Sequence, residues 1–171
     1  MITTDNVHLR DARETDRDTI RAVTLGAYED YATQWFWETY QQNILSTLND
    51  IHPAEQIVAE YAGRIVGAVL LYPIGTVVER PDVGSIRTDA PEIRLLAVAP
   101  TARGRGVGRA LVQECIRRAH QSGASMLTLH TTDVMQPALR LYTQIGFVRA
   151  PELDFHPTPD ITVKGYCLRL E

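Results

Sequence analysis

The segment RLLAVAPTARGRGVGRALVQECIRRA, from Arg94 to Ala119, restricts the fold more than any other part of the chain. An apolar run ends near a proline, a knot of arginines and glycines follows, and a pattern of helical period comes next. At about 100° per residue, Leu111, Val112, Cys115, Ile116 and Ala119 share one face, and Arg109, Gln113, Glu114, Arg117 and Arg118 lie on the other. The spacing predicts an amphipathic helix that starts at Gly106 to Gly108 and runs to about Gln121. The stretch EIRLLAV before the knot reads as a buried strand. A helix start leaves backbone N–H groups without partners and carries partial positive charge. Glycines allow positive φ and let a ligand come close to the backbone. Together, the strand, glycine loop, helix start and arginines describe a phosphate cradle. They also describe a tight strand-to-helix turn whose arginines only solvate the surface.

The spacing narrows the ligand. A P-loop needs GxxxxGK[ST], and the chain has no such Lys-Ser/Thr pair after its glycines. The dinucleotide pattern GxGxxG fails as well, because from Gly104 it meets Arg109 and from Gly106 it meets Leu111. A nicotinamide-binding domain is therefore a distant reading. What remains is R-x-x-G-x-G, carried by Arg103, Gly106 and Gly108.

Elsewhere, VHLRDA reads as a first strand. Asp16 then stands as the cap of a helix reaching about Tyr28. WFWETYQQNILSTL reads as a second helix, and EQIVAEYAG with RIVGAVLLYP reads as a hairpin turning around Ala62-Gly63. Residues 75–91 carry Gly, Pro and charge and read as a loop or splayed turn. SMLTLHT, GFVRA and DITVKGYCLRL read as strands, and PALRLYTQ as a short helix with Pro137 in its first turn. Strands alternating with helices in the second half imply a mixed α/β sheet with parallel pairs.

At 171 residues the chain suits a single domain over residues 1–171. A net charge of -4 gives no general attraction to nucleic acid or a membrane surface. No apolar stretch has the length of a membrane span, and the polar N-terminal stretch MITTDNVHLRDARETD lacks the apolar core of a signal peptide. The expected location is the cytoplasm. Cys115 and Cys167 form no CxxC pair, and the five histidines show no metal-ligand spacing, so no metal is expected.

The segment LAVAPTARGRGVGRAL resembles, without a gap, the strand, linker, pyrophosphate loop and helix of the GNAT superfamily of N-acetyltransferases. ALRLYTQIGF resembles the later signature of that family, with a tyrosine near Gly-Phe. The resemblance is strong from about Glu92 to Phe147 and looser before it. It implies one GNAT-type α/β domain, in which helices flank a mixed, mostly antiparallel sheet with a splayed parallel strand pair. It implies acetyl-CoA as cosubstrate and an amine as acceptor, and it leaves a homodimer open. By the resemblance, Leu96, Ala97 and Val98 pair with the pantetheine arm. The pyrophosphate falls to Arg103, Gly104, Arg105, Gly106, Val107, Gly108 and Arg109. Many members carry an asparagine seven residues before the tyrosine, where this chain has Met135.

Acetyl transfer to an amine needs a neutral amine, a stabilised oxyanion and a protonated or hydrogen-bonded leaving thiolate. The resemblance assigns Tyr142 to the thiolate, whereas the residue type alone favours an ordinary core aromatic with its hydroxyl at the edge. Two residues compete as base, and Glu92 is preferred to His130. Glu92 occupies the family's base position, and burial would raise its pKa toward neutrality. It also reads as a solvated charge at a strand start. His130 closes MLTLH and titrates near neutrality as a residue type, and it also reads as a half-buried, hydrogen-bonded histidine. Trp35, Phe36, Trp37 and Tyr40 read either as an acceptor pocket or as helix packing. Transfer of another acyl group and a silent CoA-binding module are the alternative functions.

Overall fold

A computed structural model describes residues 6–171; the first five residues, part of the polar N-terminal stretch, lie outside the described residues. In chain order the elements are β1 (His8–Asp11), α1 (Arg17–Tyr28), α2 (Trp37–Asn49), β2 (Glu55–Tyr61), β3 (Arg64–Tyr72), β4 (Val77–Arg80), β5 (Gly84–Arg87), β6 (Glu92–Val98), α3 (Val107–Gln121), β7 (Met126–Thr131), α4 (Gln136–Ile145), β8 (Val148–Arg149), β9 (Phe155–Thr158) and β10 (Ile161–Arg169). They gather into two compact units. One runs to Leu71 and resumes over Leu95–Glu114; the other comprises Tyr72–Arg94 and Cys115–Glu171.

In the first unit β1, β2 and β3 pair antiparallel in that order. The β2–β3 hairpin closes at Ala62 and Gly63, with φ of 48° and 73°. Positive φ at both central residues is the turn whose twist matches the flanking strands. Ile20 of α1 and Ile44 and Leu48 of α2 bury against Val58 and Ala68 of the sheet. Gly67 of β3 has a packing reason: a Cβ there would stand 3.0 Å from the Ala97 carbonyl oxygen and from the side chains of Leu111 and Val107.

Asp16 does not cap α1 with its side chain. A 3-10 turn over Glu14–Asp16 precedes the helix and gives Asp16 a helical backbone, φ −85° and ψ −11°, where a cap residue needs an extended one. Its carboxylate instead accepts the Arg13 N–H at 2.7 Å and the Arg10 guanidinium at 2.7 and 3.2 Å. The aromatic helix starts later than expected, at Trp37, which leaves Trp35 and Phe36 ahead of it.

In the second unit β7 pairs antiparallel with β10, from Lys164↔Thr131 to Arg169↔Met126. Both β8 and β9 add to β10, also antiparallel. The start of β6 joins β7 in the one parallel pairing, with rungs at Glu92↔Thr128 and Ile93↔Leu129. The ladder has no further rungs, and Leu95, two residues on, has φ 50°. The architecture is thus mixed α/β and mostly antiparallel, with one parallel pair where the alternating pattern suggested several. Residues 75–91 depart from expectation: β4 and β5 form a hairpin within them, from Val77↔Arg87 to Arg80↔Gly84. Gly146, φ 118°, ends α4 by donating its N–H to the Tyr142 and Thr143 carbonyls.

Candidate active site

The loop of residues 103–109 leads into α3 as its composition requires. Gly104 and Gly106 take φ of 72° and 79°, a region that side chains rarely enter. The Ala110 N–H donates to the Gly106 carbonyl at 2.9 Å, which opens the helical ladder. The N–H groups of the turn before it carry the helix's partial positive charge. A Cβ on Gly104 would meet nothing within 4 Å, so the loop is open on that side. Positive charge, donors and open approach suit a diphosphate. On the buried face behind the loop, Val107, Leu111, Val112, Cys115 and Ala119 are at most 1% exposed, as the helical period predicts.

Arg103 does something its motif position does not reveal. Its guanidinium donates to Asp30 Oδ2 at 2.5 Å and to the Ala27 carbonyl at 2.7 Å, tying the loop to the end of α1 and the turn beyond it. The side chain expected to meet a phosphate is thus engaged within its own unit. In β6, the Leu96 carbonyl accepts the Tyr28 hydroxyl at 3.0 Å. Ala97 is buried, and Val98 is half-buried.

Tyr142 lies on α4, 6% exposed, with its ring edge-on to Phe147 at 5.8 Å. Met135, at the cap position of α4, is buried and makes no side-chain cap bond. Trp35 is 74% exposed. Phe36 and Tyr40 pack edge to face at 6.1 Å, and Tyr40 meets Tyr28 in the same way at 5.7 Å. Trp37 is half-buried.

The two base candidates meet each other. Glu92, 3% exposed, accepts the Arg94 Nε–H on Oε1 at 2.5 Å. Its Oε2 faces Arg80 Nη2 and His130 Nδ1, each at 3.5 Å. Burial by itself raises the carboxyl pKa, but hydrogen bonding to His130 and the charges of Arg94, His130 and Arg80 outweigh it and bring it down to about 2. The expected rise toward neutrality is therefore overturned: three cationic or cation-forming neighbours favour the ionised form more than desolvation opposes it. His130 Nε2 stands 2.8 Å from the Leu153 carbonyl oxygen, which can only accept, so Nε2 carries a hydrogen. In the neutral ring Nδ1 then carries the lone pair and makes no hydrogen bond, and only the imidazolium donates to Glu92. The Phe155 ring packs edge-on to His130 at 5.3 Å. Among the described residues no group of three or more His, Cys, Asp and Glu is placed to hold a metal ion, and no helix is long and apolar enough to cross a membrane.

These features fall within a known family. The profile of the acetyltransferase (GNAT) family matches residues 20–147, most of the chain, and the chain belongs to that family. N-acetyltransferase 8B of Mus musculus is 27% identical over 128 residues, which cover 75% of this chain and 52% of that protein. The chain spans about half the length of the curated relatives it matches. A GNAT family acetyltransferase from Brucella melitensis, solved in complex with acetyl-CoA, superposes with a TM-score of 0.65 at 20% identity, covering 96% of this chain and 88% of that one. A GNAT family acetyltransferase from Staphylococcus aureus superposes with a TM-score of 0.74 at 14% identity, covering 96% of this chain and 99% of that one.

Proposed function

We propose that residues 1–171 form one N-acetyltransferase domain that moves an acetyl group from acetyl-CoA to a primary amine of a small molecule or peptide, by direct attack in a ternary complex. The observation that carries this reading is the β6–loop–α3 segment. Its positive-φ glycines open directly into a helix start, within a chain that belongs to the GNAT family.

In this reading the backbone of residues 103–109 binds the pyrophosphate, with Arg105 and Arg109 adding positive charge. The backbone of Leu96, Ala97 and Val98 pairs with the pantetheine arm, and β6 N–H groups stabilise the developing oxyanion. The Tyr28 hydroxyl already occupies one lone pair of the Leu96 carbonyl, which orients that peptide group for its N–H side. As the acceptor nitrogen bonds to the acetyl carbon, the carbon–sulfur bond breaks, the sulfur takes the proton of the Tyr142 hydroxyl, and the proton that the nitrogen sheds on becoming an amide returns to the tyrosinate through water. The ammonium's own proton is taken up at the Glu92–His130 pair, where Nδ1 of the neutral imidazole carries the lone pair. Glu92, ionised down to about pH 2, stabilises the imidazolium that results.

The test is thiol release from acetyl-CoA over a panel of amines, with acetyl-CoA binding measured by calorimetry. Amine-dependent release with one-to-one binding is the expected outcome. Binding without release for any amine would reduce the chain to a CoA-binding module.

A further inference from the structure

Around Glu92 the second unit buries more positive than negative charge. Two arginines point at one carboxylate: Arg94 through Nε at 2.5 Å and Arg80 through Nη2 at 3.5 Å. The side chain of Arg80 is only 9% exposed and that of Arg94 27% exposed. Asp82 also acts on Arg80 through space, but it is exposed and its carboxylate accepts the His156 N–H at 2.7 Å. With His130 neutral, the group of buried Arg80 and Glu92 and half-buried Arg94 carries one positive charge in excess. An uncompensated buried charge is costly unless an opposite charge joins it.

The donors of this group are incompletely used. Arg94 Nη2 is buried and has no hydrogen-bond partner among the described residues. Arg80 reaches Glu92 only at 3.5 Å. Each guanidinium also has an aromatic ring beneath it: Arg80 lies 4.1 Å from the Phe155 ring centre and Arg94 4.8 Å from that of Tyr72. Stacking of this kind engages the face of a guanidinium and leaves its edge, where the N–H groups point, for an in-plane acceptor. A carboxylate matches that edge in shape, and its single negative charge matches the excess.

We propose that the acceptor amine carries a carboxylate, and that Arg80 and Arg94 receive it. The proposal rests on the acetyl-transfer reading above and narrows its acceptor class. It makes the two arginines specificity residues that act on the part of the acceptor remote from its amine.

The test compares matched acceptors: glycine with glycinamide, β-alanine with its amide, and 4-aminobutyrate with its amide. For at least one pair the carboxylate should be preferred in kcat/KM by on the order of 10- to 100-fold, the worth of a charge-assisted hydrogen bond. Arg94→Gln should bring that ratio near one and leave acetyl-CoA affinity unchanged. Arg94→Lys keeps the charge but loses the fork, and should recover only part of the preference. A titration of the wild-type protein needs neither turnover nor a variant that folds. At least one of N-acetylglycine, N-acetyl-β-alanine and 4-acetamidobutyrate should shift the Nε–H signals of Arg80 and Arg94 in arginine-labelled NMR spectra, and the matching amide should not. Equal use of carboxylate and amide in every pair, or arginine signals that ignore all three N-acetylated carboxylates or follow carboxylate and amide equally, overturns the proposal. Loss of acetyl-CoA binding and of all thiol release would overturn the acetyl-transfer reading instead, while the NMR titration still judges the carboxylate site.

Discussion

The Tyr28 hydroxyl, at the end of α1, donates to the Leu96 carbonyl of β6 at 3.0 Å across 68 residues of sequence. It anchors a backbone group in the strand proposed to face the pantetheine arm. Tyr28→Phe removes this donor together with the hydroxyl contact to Tyr40, and leaves the ring packed against Tyr31 and Tyr40. Loss of one such bond costs about 1 kcal/mol. The expected result is a Tm lower by roughly 2–4 °C for a chain of this size, together with weaker acetyl-CoA binding. A drop in Tm with unaltered affinity would make the bond purely structural.

The loop offers a sharper test. Gly108 sits in the first turn of α3, where the proposed diphosphate meets the backbone. Gly108→Trp should abolish acetyl-CoA binding by calorimetry while the circular dichroism of the folded protein persists, because bulk blocks the approach and not the core. Arg103→Ala should behave differently. Its partner Asp30 is largely exposed, so loss of the tie should cost at most about 1 kcal/mol and weaken binding only through a looser loop.

The segment from Glu92 to Gln121 was legible because its signals are local: an apolar strand, glycines that permit positive φ, and a clean helical period. The β4–β5 hairpin was hidden for an equally physical reason. Along β4 the inward residues are Val78 and Arg80, and the outward ones are Val77 and Glu79. A buried arginine alternating with an exposed valine erases the pattern by which a half-buried strand is read. Leu95 gave no warning of its positive φ, since composition flags glycine there and not leucine. The charge cluster was illegible for a third reason. Arg80, Glu92, Arg94 and His130 come from three strands of two different sheets, and only the folded unit brings them together. For the same reason burial alone misjudged the Glu92 pKa.

Tyr142 separates binding from chemistry. If its hydroxyl protonates the leaving sulfur, Tyr142→Phe should lower kcat by about 10²- to 10⁴-fold with little change in acetyl-CoA affinity. The ring stays edge-on to Phe147, so the fold should persist. An unaltered kcat would return Tyr142 to core packing.

The ionised Glu92 is also a statement about stability. Its pKa falls from 4.5 to about 2 in the folded protein. A depressed carboxyl pKa stabilises the fold fully above the unfolded value and loses that contribution as pH falls through the folded one. Glu92 should therefore contribute on the order of 3 kcal/mol at neutral pH, lost between about pH 4.5 and 2. Glu92→Gln leaves Arg80 and Arg94 buried without their counter-ion and should cost about 3–5 kcal/mol at pH 7. Urea unfolding of both proteins across this range should show their stabilities converging as the pH falls. Parallel curves would mean that Glu92 is not held ionised by its neighbours.

The proton of the acceptor amine decides between the two base candidates. An alkylamine resembling lysine has a pKa of about 10.4, so it arrives mostly protonated at neutral pH. A group that accepts its proton must itself be unprotonated, which produces an acidic limb in the pH profile of kcat/KM. Glu92 stays ionised to about pH 2 and cannot produce such a limb in the range where the protein is assayed. His130 is the other candidate: with a hydrogen on Nε2 its Nδ1 bears the lone pair, 3.5 Å from the carboxylate that would stabilise the imidazolium. His130→Ala should therefore remove the limb and lower kcat/KM by about 10²-fold or more. Glu92→Gln should lower kcat/KM and keep a limb, because the imidazole remains. The profile must be read with the same amine for all three proteins, since the amine's own titration shapes the basic side. A limb that survives His130→Ala and disappears in Glu92→Gln would hand the proton to the carboxylate, and an unchanged profile in both would hand it to bulk water.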